Sequence, residues 1–448
     1  MFAEQAYLFR HAVLRDAAYQ LHTPADRAAL HALAATLIEH TFSGDALAAL
    51  SPEIADHLHA ARNLRDTPEL RAREAHFAAL AGAACEAACR YQDACTYWQR
   101  SADLAPADEA AQRLCKAASA AAAFEQHSLC DRLAARALEL AGDRTAQRAQ
   151  ALSVMAIRAQ YTGRQLQAEQ GFRDALELFR LAGDLKQQGL TLRNLSVLLL
   201  QTSRMAEAEQ AQMQALEILR DHGTAHEIAR TESHLALTYQ VTGRFEQAQE
   251  LLLRVLAQWR NLGDQRMIGA DTSNLASLYL RMGRMDRAEA EYKAALEVQR
   301  RIGERRSEGI SLTNLALVYQ NTGRPELAAK ACIDALAIHR EVENIHGQGI
   351  ALGNLAFNVA AAGRHAESER MFHEAIELLH RTADLRFEGA NRCHLAYVLV
   401  ALGRLDEARQ QWEAGADMLR KVGDLPQLEQ QTAAIRQICR DYGAPPLA

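Results

Sequence analysis

Aromatic side chains make up only 6% of this 448-residue chain, which also has just 8 prolines and 24 glycines. So little proline excludes a Pro-rich linker protein, and so few rings argue against a core of large aromatics. Ala and Leu fill the space instead, within 49% apolar residues, a composition suited to helices packed closely through small side chains. No apolar run approaches the roughly 20 residues of a membrane span. The opening MFAEQAYLFRHAVLRD puts charges where a signal peptide needs its apolar segment. These absences predict a cytoplasmic protein with no membrane partner. Nor is there a surplus of positive charge: the net charge is −6. Binding nucleic acid requires cations to neutralise phosphates, so no direct nucleic-acid partner is expected.

Eight cysteines occur, and none forms the C-x-x-C pair of a zinc or redox motif. Cys85 and Cys89 are one turn apart on an Ala-rich helix and read as small core residues. His57 and His59 have no acidic or thiol companions of metal-ligand spacing, so no metal is expected. A nucleophile elbow, an H-E-x-x-H helix and a phosphate loop are all missing. Neither an enzyme nor a bound cofactor is expected.

What the chain does have is a period. Gly163, Gly243, Gly283, Gly323, Gly363 and Gly403 are each followed by Arg, with Ser203-Arg204 in the one remaining slot, a step of 40 residues. Leu195, Leu235, Leu275, Leu315, Leu355 and Leu395 keep the same step, as do Ala168, Ala208, Ala248, Ala288, Ala328 and Ala408. Leu315, Ala316 and Tyr319 make one stripe of a first helix. Gly323 then ends that helix, and Pro325 falls where a second begins. Ala328, Cys332, Ala335 and Leu336 form the stripe that packs back on the first. One such hairpin leaves apolar surface uncovered, so it needs neighbours, and an array follows.

This pattern resembles the tetratricopeptide repeat, in the roughly 40-residue form of kinesin light chains. The resemblance implies an all-α, right-handed superhelical solenoid of antiparallel helix pairs. Its expected organisation is a helical lead-in over 1–65, two degenerate pairs over 66–145 and seven regular pairs over 146–425. A capping helix and tail would close the chain over 426–448.

Within the lead-in, Phe9, His11, Leu14, Ala17, Tyr19, Arg27, Leu30, His31 and Glu39, continued by PEIADHLHAA at 52–61, resemble the junction of bacterial STAND-type signalling ATPases. There the stretch joins the winged-helix part to a helical repeat sensor. None of the five lysines follows a glycine, so the family's ATP-binding loop has no counterpart here. The expectation is a sensor half of such a system.

In tetratricopeptide arrays the first helix of each pair lines the inner wall. One column of that wall holds Asn194, His234, Asn274, Asn314, Asn354 and His394. Asn is a mediocre helix former, but its amide offers a donor and an acceptor matched to a peptide unit. In kinesin-light-chain-like arrays such an asparagine holds an extended peptide. Of the 36 wall positions over 190–401 none is Asp or Glu, and three are Arg: Arg193, Arg230 and Arg281. Later repeats supply Phe357 and Tyr397. The expected partner is a protein or peptide segment with an acidic portion near the arginines and an apolar anchor near the two rings. The alternative is a small-molecule effector sensor of a STAND-type transcriptional regulator.

Overall fold

The computed structural model describes residues 19, 21–88, 90–123, 126–202, 204–382 and 384–447; Phe9, His11, Leu14 and Ala17 of the lead-in, with Cys89 and Ser203, lie outside them. The described chain is 86% helical, with 22 helices and no strand. Two compact units divide it, Met1–Gly223 and Thr224–Ala448.

In the first unit α1 (Pro24–Thr41) and the short α2 (Gly44–Ala49) lead to α3 (Ser51–Leu64). Four pairs follow: α4 (Pro68–Ala87) with α5 (Tyr91–Leu104), α6 (Ala107–Ala123) with α7 (His127–Ala141), α8 (Thr145–Tyr161) with α9 (Gln165–Ala182), and α10 (Leu185–Gln201) with α11 (Met205–His222). The second unit has five pairs and a last helix. They are α12 (Ala225–Val241) with α13 (Phe245–Leu262), α14 (Gln265–Arg281) with α15 (Met285–Ile302), and α16 (Arg305–Asn321) with α17 (Pro325–Glu341). Then come α18 (Ile345–Ala361) with α19 (His365–Arg381), α20 (Leu385–Ala401) with α21 (Leu405–Lys421), and finally α22 (Leu425–Asp441). In this unit each first helix packs on its partner and also on the next first helix, so the hairpins stack as a solenoid.

The turns follow from the sequence. At Gly323 φ is +68°, left-handed backbone that glycine adopts without steric cost, and α16 ends there. Pro325 opens α17, where a missing N–H leaves no bond unmade. Second helices stop at residues such as Gly263, and the Asp264 carboxylate then accepts the Met267 N–H at 3.0 Å to start α14. Leu315, Ala316 and Tyr319 on α16, and Ala328, Cys332, Ala335 and Leu336 on α17, are all buried as the periodicity predicts.

A second set of glycines lies inside the first helices. Gly189, Gly269, Gly309, Gly349 and Gly389 all face the end of the partner helix. A Cβ at Gly349 would meet Leu379 Cγ at 2.7 Å, and one at Gly309 would meet His339 Cε1 at 2.8 Å. The absent side chain lets the hairpin close near its open end.

Polar links then join one pair to the next. At the starts of the first helices, His226 Nε2 lies 3.0 Å from Asp264, Arg266 donates to Glu304 at 3.0 Å, His346 lies 2.8 Å from Asp384, and Arg386 donates to Asp424 at 2.5 Å. At the Gly-Arg turns the arginine reaches back to the previous second helix: Arg324 to Glu289 at 2.6 Å and Arg404 to Glu369 at 2.5 Å. The Arg244 and Arg324 guanidinium groups also sit over Tyr239 and Tyr319, 4.2 and 4.7 Å from the ring centres. The repeated Arg is therefore a strap between hairpins as well as part of a turn.

His57 and His59 diverge: His57 Nδ1 lies 2.9 Å from His31 Nδ1, and His59 Nδ1 lies 2.7 Å from Glu74. Among the described residues no group of three His, Cys, Asp or Glu side chains could hold a metal ion. No described helix is long and apolar enough to cross a membrane.

Candidate ligand-binding wall

On α16 the face turned away from α17 carries Ile310, Asn314, Leu317 and Asn321, at spacings of four, three and four residues. Those are the wall positions expected from the columns, and they form one stripe on a helix. Ile310 is 46% exposed and Asn321 is exposed, while Asn314 and Leu317 are half-buried. Across the second unit the equivalent stripe holds Arg230 and His234 on α12, Asn274 and Arg281 on α14, Asn354 and Phe357 on α18, and His394 on α20. Arg230 and Arg281 are exposed, and Phe357 is 41% exposed. His234, Asn274, Asn314, Asn354 and His394 all stand half-buried at one level. In the first unit, Asn194 on α10 is half-buried too.

The asparagines are not equivalent. Asn274 Nδ2 donates to Asp271 at 2.9 Å. Asp271 is 1% exposed and also accepts from Ser233 at 2.5 Å and the Trp259 indole at 2.7 Å. Burial raises its pKa despite these three donors. The network leaves Asn274 its carbonyl oxygen to present. Asn314, with Ser277, flanks the hydroxyl of Tyr292, which burial pushes up to about 12. Among the described residues Asn354 Nδ2 has no hydrogen-bond partner, while the Asn354 backbone carbonyl accepts two amides, from Gln320 at 3.2 Å and Asn358 at 2.8 Å. An unsatisfied buried amide costs about 1–3 kcal/mol, so this donor favours an incoming acceptor.

Two of the expected wall residues are turned inward. Arg193 is only 9% exposed, and its guanidinium donates to Asn194 Oδ1 at 3.3 Å, so it is a packing residue of the first unit. Tyr397 is also 9% exposed, because α22 covers it; its hydroxyl donates to the Gln431 carbonyl at 2.9 Å and pairs with the Gln431 amide oxygen. The same Gln431 lies 3.1 Å from His394 Nε2. The rings of Phe357, Tyr397 and Phe372 surround His394 at 5.2, 5.5 and 6.0 Å, and burial lowers its pKa to about 4. The aromatic end of the wall is thus a packed cluster from which Phe357 emerges.

A stack of helical hairpins in which each pair covers its neighbour's apolar side is a helical-repeat protein. Residues 227–301, 268–341 and 307–381 match the tetratricopeptide repeat family, as do residues 392–414. Those stretches of the chain are tetratricopeptide repeats.

Among solved structures, a Rap protein complexed with competence and sporulation factor is similar at a TM-score of 0.61 and 14% identity, over 78% of this chain and 99% of that one. A STAND protein with a tetratricopeptide repeat sensor, from Pyrococcus horikoshii, is similar at 0.58 and 15% identity, over 96% of this chain and 67% of that one. The apo quorum sensor NprR from B. thuringiensis is similar at 0.53 and 14% identity, over 69% and 87%. At these identities the likeness is one of fold. No curated protein matches the sequence.

Proposed function

We propose that the chain is a non-catalytic recognition module that holds an extended protein or peptide segment along the inner wall of its second unit. One observation carries this reading. Over four successive first helices, α12 to α18, the stripe presents amides, an imidazole, two arginines and apolar side chains, with no Asp or Glu at any wall position. An idle solvated face of an acidic protein would carry carboxylates. Half-buried amides at one level match the donors and acceptors of an extended backbone. Arg230 and Arg281 suit an acidic portion of the ligand, and Ile310 and Phe357 suit an apolar one.

The lead-in's resemblance to STAND junctions, and the likeness to a STAND protein over 96% of the chain, support placement as the sensor part of such a signalling system. That three similar structures include one complexed with competence and sporulation factor and one described as a quorum sensor supports a ligand-responsive role.

The test is selection of a displayed random peptide library on the full chain. Enriched sequences are expected to combine an acidic residue with an aromatic or branched apolar one. The double variant Asn314→Ala/Asn354→Ala should bind them about tenfold more weakly, as expected from losing two hydrogen bonds of about 0.5–1.5 kcal/mol each. Its thermal midpoint should stay near that of the parent. Asn274 is left intact because its loss would strip a donor from buried Asp271. No enrichment, or undiminished binding by the double variant, would sink the reading.

A further inference from the structure

Asp271 precedes Asn274 by one turn of α14, and its carboxylate is closed in between three helices. The same column of the other repeats holds Thr191, Thr231, Ser311, Ala351 and Asn391, so this buried acid belongs to one repeat. Neutral donors satisfy it. Ser233 on α12 and the Trp259 indole on α13 meet Oδ2 at 2.5 and 2.7 Å, and Asn274 Nδ2 meets Oδ1 at 2.9 Å.

The two ends of an amide are nearly equal in size, so packing alone does not choose which end of Asn274 turns inward. Hydrogen bonding does. An ionised carboxylate only accepts, and an indole N–H only donates. With Trp259 on one oxygen, the other is left for Asn274, which must offer Nδ2. A reversed amide would set two acceptors against each other under cover, where an unpaired polar contact is most costly. Asn274 itself is half-buried, and its Oδ1 accepts no bond from the described residues. At Asn194 the opposite end is taken, because Oδ1 already accepts from Arg193 at 3.3 Å.

We propose that Asp271 is a specificity-determining residue of the wall: by fixing Asn274 with Oδ1 outward, it requires the bound segment to bring a main-chain N–H to α14. This rests on the reading of an extended segment along the wall, and it gives one point of that wall a defined polarity. A proline at the facing position of the ligand has no proton to give. Asp271 touches no ligand in this arrangement; it acts through Asn274.

The test resynthesises peptides selected on the wild type with one N-methyl group at a time. Binding is measured at about pH 8, because burial raises the Asp271 pKa and a proton gained in acid would donate to Asn274 and turn its amide. At one peptide position the N-methyl group should weaken binding about fivefold or more. In Asp271→Asn, Trp259 still needs the side-chain oxygen, so the substituted nitrogen faces Asn274 and reverses it. This variant should bind the parent peptide about fivefold more weakly, and the same N-methyl group should then cost no more than about twofold. A merely structural role would weaken every peptide alike. The proposal is overturned by an N-methyl cost that stays unchanged in the variant, by wild-type affinity in the variant, or by the absence of any costly N-methyl position in the wild type.

A second measurement needs neither peptide nor variant. In the wild type with isotopically labelled asparagine, the side-chain amide protons of Asn274 should exchange with water more slowly than those of exposed Asn321. Slow exchange with no peptide ever selected refutes the segment reading and supports the fixed amide. A selected peptide, with Asn274 exchanging as fast as Asn321, refutes the role of Asp271 alone.

Discussion

Between α3, α4 and α5 a single carboxylate gathers two guanidinium groups and an imidazole: Glu74, fully buried, accepts from Arg62 at 2.6 Å and Arg100 at 3.3 Å and lies 2.7 Å from His59 Nδ1. Arg62 and Arg100 are themselves largely covered, their side chains 21% and 19% exposed. The pairs of the second unit are joined differently. Glu308 and Glu388 are buried too, but across the pair boundary Glu308 meets Arg300, 56% exposed, and Glu388 meets His380, 75% exposed, while the covered Arg392 holds Glu388 from within its own helix. Most of their remaining links are surface pairs repeated at each turn. The early pairs draw three links onto one carboxylate, beside separate ones such as Arg73 to Glu39 at 2.5 Å, whereas the regular repeats share the task among many weak ones. Cohesion in a stack of hairpins can be concentrated or distributed, and the two arrangements fail differently.

The largest effect should come from the node. Glu74→Gln leaves Arg62 under cover without its carboxylate, while Arg100 keeps Asp56 at 2.7 Å, and breaking such a buried pair costs about 3–5 kcal/mol. Hydrogen exchange should show opening across α3 to α5, with the second unit's protection retained; protection unchanged over α3 to α5 would contradict a concentrated node.

Acid tests the other arrangement. His339 is 1% exposed, lies between Thr313 at 3.2 Å and Asn344 at 3.2 Å, and fits where Gly309 and Gly347 leave room. Burial, with Arg306 and His346 adding to it, lowers its pKa to about 4 from an ordinary 6.5. Folding thus favours the neutral ring. The stability this contributes is complete above pH 6.5 and is lost as pH falls towards 4, a total of roughly 3 kcal/mol. Urea unfolding at pH 7 and pH 4.5 should show that fall, and His339→Gln should reduce it, the remainder coming from His394, whose pKa burial also lowers to about 4.

The smallest effect should be at a surface strap. Arg324→Ala removes the bond to Glu289 and the contact with Tyr319, yet exposed pairs of this kind contribute about 1 kcal/mol or less. A double-mutant cycle with Glu289→Ala should return a coupling no larger. A coupling as great as the loss at Glu74 would erase the contrast.

Much of the fold was legible because its determinants are local and repeated. Gly323 marks a turn, Pro325 starts a helix, and Leu315, Ala316 and Tyr319 face inward, all from properties of a short window. The level of Asn314 and Asn354 was legible for the same reason. Contacts that depend on a neighbour one repeat away were not. Tyr397 has the spacing of a wall residue, but Gln431 on α22 takes its hydroxyl and covers the ring. Arg193 reads as a wall cation, yet it packs inward, in a column whose other members include buried Ser233, Thr313 and Cys393. The arginine of each Gly-Arg turn looked like part of the punctuation, and its bond to the preceding hairpin shows only in three dimensions. The glycines inside the first helices did carry a signal: their step of 40 residues from Gly269 to Gly309 to Gly349 to Gly389 stands in the sequence, and close approach explains it.

Those straps have a consequence for how such a chain can change length. Arg324 to Glu289 and Arg404 to Glu369 each span 35 residues, and His346 to Asp384 and Arg386 to Asp424 each span 38. A duplication or excision of one whole 40-residue unit returns every strap to an equivalent partner. An insertion of any other length between turns sets an arginine opposite the wrong row and tilts the apolar stripe out of its seam. The array is therefore quantised: it can grow or shrink by whole hairpins while keeping its seams, and it tolerates fractional steps only at its two ends.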